Sequence, residues 1–89
     1  MSSNFLEVSF VDGRPFAAYL RLRGDAGVRV ARSRELRPGI VVDFDDIGAP
    51  LGIEIVHPAT TPPQTVLDVV AEIHGPPVGL AELAPLRAA

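Results

Sequence analysis

Up to Val56 the apolar residues of this chain recur at every second position, and beyond it they recur at helical spacing. The clearest stretch runs from Ile40 to Val56. On its first arm Ile40, Val42 and Phe44 alternate with Val41, Asp43 and Asp45; on its second, Leu51, Ile53 and Ile55 alternate with Gly52, Glu54 and Val56. Alternation of β-branched and aromatic residues puts one apolar row on one face of a sheet. Between the arms, Asp45 to Pro50 supplies turn chemistry: Asp bonds its own backbone, Gly takes positive φ, and Pro cannot continue a ladder. The pattern predicts a β-hairpin.

Upstream, Leu6 to Phe10 alternates and ends at Asp12-Gly13, a short-turn signal. Phe16, Ala18, Leu20 and Leu22 then form an apolar row against Ala17, Tyr19, Arg21 and Arg23, which predicts an antiparallel partner strand. Gly24 to Gly27 reads as another turn. A third strand is expected from Val28 to Leu36, but the alternation slips across Arg32-Ser33-Arg34-Glu35, as at a sheet edge or a bulge.

After Val56 the prolines of His57 to Pro63 exclude a strand and prepare a helix. Thr61 is placed to cap it, Pro62 to occupy its first position and Gln64 to complete a capping box. Val66, Val69, Val70 and Ile73 follow at helical spacing, and Gly75 stands where a left-handed terminal residue is wanted. Residues 78–89 hold at most one helical turn, around Leu80 to Leu83, broken by Pro85; alone it would be unstable, so it docks or frays.

These elements predict an α+β fold in one domain spanning 1–89. It comprises a five-stranded antiparallel β-meander over 6–56, one C-terminal helix over 62–74 packed on one face, and a tail over 78–89. One helix covers one face. The opposite face would carry Tyr19, Arg21, Arg23, Asp43, Asp45 and Glu54, whose opposite charges can pair across strands.

Composition narrows the chemistry. Eighty-nine residues suffice for one modest core. The chain has no cysteine, so disulfides, thiolate zinc sites and cysteine nucleophiles are excluded. Its net charge of −3 argues against general affinity for nucleic acid. The charge is uneven, however. Between Gly13 and Val42, seven arginines against Asp25 and Glu35 leave +5, whereas Arg87 against seven acids from Asp43 onward leaves −6. No apolar run reaches the roughly 20 residues of a membrane span, and no leader pattern opens the chain, so a cytoplasmic location is expected.

The hairpin, together with Tyr19-Leu20-Arg21-Leu22, resembles an uncharacterised prokaryotic family catalogued as domain-of-unknown-function family 2283. Its pattern joins a short strand, an Asp-containing turn, an L-Y-I-R-L-like strand and a hydrophobic D-x-D-x-x-G hairpin ending in G-I-E-I. Here these are Phe10 to Asp12, Ala18 to Leu22, Val41 to Gly48, and Gly52-Ile53-Glu54-Ile55. The resemblance spans roughly residues 8–56. It departs at Phe16, where the family has an acidic residue. What it implies is a small β-meander; it brings no established activity.

Three constellations could carry chemistry. Asp43-x-Asp45-x-Ile47-Gly48 with Glu54 has calcium-loop spacing, but Ile47 replaces an oxygen ligand and strands flank the loop where helices should. A plain turn is the better reading, and no metal or other cofactor is expected. Asp43, Glu54 and His57 could serve a small metal-dependent or acid/base hydrolase, yet nothing in the spacing converges them. The arginines have only Tyr19 as a nearby stacking residue, which disfavours nucleic acid. The expectation is a non-enzymatic interaction module, forming a homo-oligomer or binding a protein partner, in the manner of an antitoxin beside a small toxin. Its interaction face would be Tyr19, Arg21, Arg23, Asp43, Asp45 and Glu54.

Overall fold

At the first turn Asp12 and Gly13 both take positive φ, +51° and +77°. Two consecutive left-handed residues match the right-handed twist of the strands they join. They connect β1 (Phe5–Val11) to β2 (Arg14–Arg21), paired antiparallel. The computed structural model describes residues 5–23 and 28–87, so the turn expected at Gly24 to Gly27 lies outside the described residues. β3 spans Arg32–Arg37, β4 Ile40–Phe44 and β5 Pro50–Ile55. Val28 to Ala31, expected to begin the third strand, are not part of it.

The sheet is antiparallel and five-stranded, but its order is β1-β2-β5-β4-β3. A meander would have set β3 beside β2; instead the hairpin folds back and places β5 there. The residues explain the choice. β5 offers Leu51, Ile53 and Ile55, all buried, whereas β3 offers Arg-Ser-Arg-Glu with every one exposed. A strand flanked on both sides takes the apolar sequence, and the charged one takes the edge.

Alternation fails at three single residues, each an extra residue on one strand. Ser9 pairs with Ala17 and Phe10 with Pro15, which leaves Phe16 unpaired in β2. Leu36 is passed over between Glu35 and Arg37, and Leu51 between Pro50 and Gly52. These are β-bulges. Phe16 was expected in the buried row with Ala18, Leu20 and Leu22; out of register, it is 64% exposed.

The core lies on one side of the sheet, where Leu20, Val42, Ile53 and Ile55 meet Val66, Val69 and Val70 of α1 (Pro63–Glu72). The helix begins one residue later than its capping signals predict. A 3-10 turn at Pro58–Thr60 precedes it and draws the Thr61 hydroxyl onto the carbonyl of His57 at 2.7 Å. Pro62 therefore stands at the N-cap with no side-chain cap, and Gln64 bonds forward to Asp68 at 2.9 Å instead of reaching back. At the other end the amide of His74 donates to Ala71 at 3.2 Å and that of Gly75 to Val70 at 2.9 Å, the two bonds of a Schellman motif. The left-handed residue is His74, at φ +55°, and not Gly75.

The tail docks. Leu80–Arg87 forms an irregular 3-10 stretch that buries Leu83 and Leu86 in the same core, against β1 and α1. Among the described residues no helix is long and apolar enough to cross a membrane.

Candidate functional site

The register fixes what the opposite side of the sheet presents. One row across it reads Glu7, Tyr19, Glu54, Val41, Glu35 and the next Arg21, Gly52, Asp43, Ser33. Strands alternate their side chains, so all of these project away from the core. The burial pattern agrees: along β4 the odd-numbered Val41 and Asp43 are half-buried between fully buried neighbours. Among the described residues no helix covers this face.

Its centre is built around a missing side chain. Gly52 is buried, and a Cβ placed on it would run into the hydroxyl and ring of Tyr19. The phenol therefore leans from β2 across β5 to β4, where its hydroxyl donates to Asp43 Oδ2 at 3.1 Å. The other carboxylate oxygen of Asp43 accepts from Ser33 Oγ at 2.6 Å. Four strands are thus tied by one carboxylate, one phenol, one hydroxyl and one glycine. The Arg21 guanidinium lies 5.9 Å from the centre of the Tyr19 ring, within reach of a cation–π contact. Burial, followed by the charge and hydrogen bond of Asp43, pushes the Tyr19 phenol up to about 12.

Asp45, in the expected interaction set, is a turn residue. It is buried, and its Oδ1 accepts from the amides of Ile47 at 3.1 Å and Ala49 at 2.8 Å. Its Oδ2 takes Arg23 Nη1 at 2.7 Å. The bond from Ala49 leads in holding its carboxyl below the ordinary range, with Arg23 and Ile47 assisting. Arg23 and Asp45 thus close one end of the face and leave Tyr19, Arg21, Asp43 and Glu54 at its centre.

The calcium-loop and hydrolase constellations do not assemble. Asp43 is engaged by Tyr19 and Ser33, Asp45 by the turn amides, and the described residues hold no cluster of three metal-ligating side chains. Asp43 sits opposite Gly52, while His57 lies five residues further along, past the end of β5. At about 3.3 Å per residue the two are on the order of 15 Å apart along the ladder. His57 uses its carbonyl to hold Thr61.

The arginines divide between the two sides. Arg32, Arg34 and Arg37 stand opposite Phe44, Val42 and Ile40, on the helix side. There Arg32 lies over the Phe44 ring, and Arg37 reaches Glu72 of α1 at 2.8 Å. Sequence reasoning missed Ser33 and Gly52. A glycine inside an otherwise apolar strand was the available signal, since it marks close approach of another group.

Fold and face together define a small α+β protein with one sheet surface that no described helix covers. Within it, the model of a family described as a protein of unknown function, DUF2283, matches residues 17–57. That segment holds Tyr19, Arg21, Asp43, Gly52 and Glu54, so the matched residues include the centre of the open face but not Glu7. Comparison with curated proteins and with solved structures returns no match for the chain.

Proposed function

We propose that this chain is a non-enzymatic interaction module whose open sheet face receives a protein partner with a basic surface. The sign of that face carries the reading. Glu7, Glu35, Asp43 and Glu54 project from it beside Arg21, while Arg23 is held by Asp45. A ligand rich in phosphate would meet four carboxylates there, which counts against nucleic acid. A basic protein surface would meet complementary charge around the rigid Tyr19 ring, an aromatic anchor of the kind that concentrates binding energy. An antitoxin-like role, with this chain masking a small basic toxin, is the narrower form of the reading.

Capture from cells, followed by direct titration of the purified partner, tests it. Glu54→Lys reverses an exposed charge at the middle of the face without touching the core. The reading expects binding that weakens as salt rises and that Glu54→Lys reduces at least tenfold. Binding indifferent to that substitution, or no protein bound in the micromolar range, would overturn it.

A further inference from the structure

The two edges of the sheet are unequally defended. β3, at one edge, carries Arg32, Arg34 and Arg37 in a run of six and is interrupted by the extra residue Leu36. Charges and bulges are devices that keep an edge from pairing with another chain. β1, at the other edge, reads Phe-Leu-Glu-Val-Ser-Phe-Val, with one charge in seven residues and no proline. The irregularity beside it belongs to β2, at Phe16, so β1 itself runs without a break.

We propose that β1 is a dimerisation edge, joined antiparallel about Val8 to β1 of a second copy so that the two five-stranded sheets become one. The proposal does not rest on the open-face reading, because an edge and a face are different surfaces. Three observations converge on this register.

Backbone direction comes first. The amide of Leu22 donates to Leu51, so from Ala17 onward even-numbered residues of β2 turn their polar groups toward β5 and odd-numbered ones toward β1. Glu7 and Ser9, opposite Tyr19 and Ala17, therefore bond inward, and Leu6, Val8 and Phe10 present N–H and C=O outward. Among the described residues no backbone hydrogen bond from another segment meets them there.

Centring on Val8 pairs those outward residues with one another: Val8 with Val8 and Leu6 with Phe10 of the second copy. On the helix side this makes an unbroken apolar row. Leu6 and Val8 already pack against the core, and Phe10, 48% exposed, would be covered by Leu6 of the other copy. On the open side Glu7 falls opposite Ser9, a pair that can hydrogen-bond, and no like charges meet. Centring on Glu7 instead would oppose two carboxylates, which the register about Val8 avoids.

Sedimentation equilibrium across the micromolar range, with circular dichroism to confirm folding, tests this on two variants. Val8→Pro removes an outward N–H and leaves the β1–β2 ladder intact. Phe10→Lys puts a charge on the edge at a half-exposed position, and it decides the matter should the loss of Val8 packing unfold the first variant. The expected result is a dimeric native chain and folded, monomeric variants. Hydrogen exchange at the Val8 amide should be slow in the native chain and at least tenfold faster in Phe10→Lys. A native chain that is monomeric throughout, a dimer that survives Phe10→Lys, or a freely exchanging Val8 amide within the dimer would each overturn the proposal.

Discussion

The phenol of Tyr19 fills the space in which a side chain on Gly52 would stand. The two residues are on neighbouring strands, two residues out of direct opposition, since Tyr19 faces Glu54 and Gly52 faces Arg21. An aromatic ring reaches such a diagonal neighbour, and a glycine beneath it lets the ring lie close to the sheet. Gly52→Ala must expel the ring, and it should cost about 1–3 kcal/mol, as overpacked sites do. In a Tyr19→Ala background the same substitution should cost little, because the colliding group is gone. Denaturant unfolding of the four chains of this cycle measures the coupling.

Tyr19 is the single tyrosine of a chain without tryptophan, so the near-ultraviolet absorbance of its phenolate reports on this site alone. The titration should centre at about 12 in the folded protein. Asp43→Asn should lower it, because the carboxylate opposes a second negative charge beside it. A phenol raised in the folded state stabilises while it stays protonated. Its contribution is therefore complete below the unfolded value of about 10 and disappears as pH rises from there through the folded value. Thermal unfolding across that interval should show stability falling, and falling less in Asp43→Asn.

Much of this arrangement is legible in the sequence, and the misses have identifiable causes. Period-two patterning located the strands and helical spacing the α1 positions Val66, Val69 and Val70, because burial on one face follows directly from which residues are apolar. Strand order was not legible from alternation, which says which face a residue occupies and nothing about which strand lies beside it. The relative polarity of β3 and β5 did hold the answer: Arg-Ser-Arg-Glu cannot sit in the middle of a sheet. Phe16 misled because a bulge is a one-residue change of phase that leaves local composition untouched. Alternation puts Asp45 on the face and turn chemistry puts it in the turn; the amides two and four residues on are what its carboxylate binds.

His74 ends α1 in the left-handed conformation that Gly75 was expected to supply. A Cβ in that region is strained, and His74 has no described partner that offsets it. His74→Gly should therefore stabilise the protein by about 1 kcal/mol, seen as a higher urea midpoint with an unchanged slope. A lower midpoint would mean that the imidazole contributes more than its backbone costs.

Asp45 binds the hairpin turn and Arg23 through one carboxylate, and its carboxyl is held below the ordinary value chiefly by the Ala49 amide. A carboxylate depressed in the folded state contributes stability above the unfolded value of about 3.9, and that contribution is lost as pH falls through the lower folded one. Asp45→Asn should lower the melting temperature near neutral pH and flatten the loss of stability on acidification. Asp46→Asn, at the exposed neighbouring position, should do neither.

The central claim is that the open face, and not the helix side, is where this protein meets its partner. Amide chemical shifts followed by NMR during titration with the purified partner address it most directly. The largest changes should fall on Tyr19, Arg21, Asp43 and Glu54, with Val66, Val69 and Val70 unmoved. Changes concentrated on α1, or on the arginines of β3 that share its side of the sheet, would contradict it.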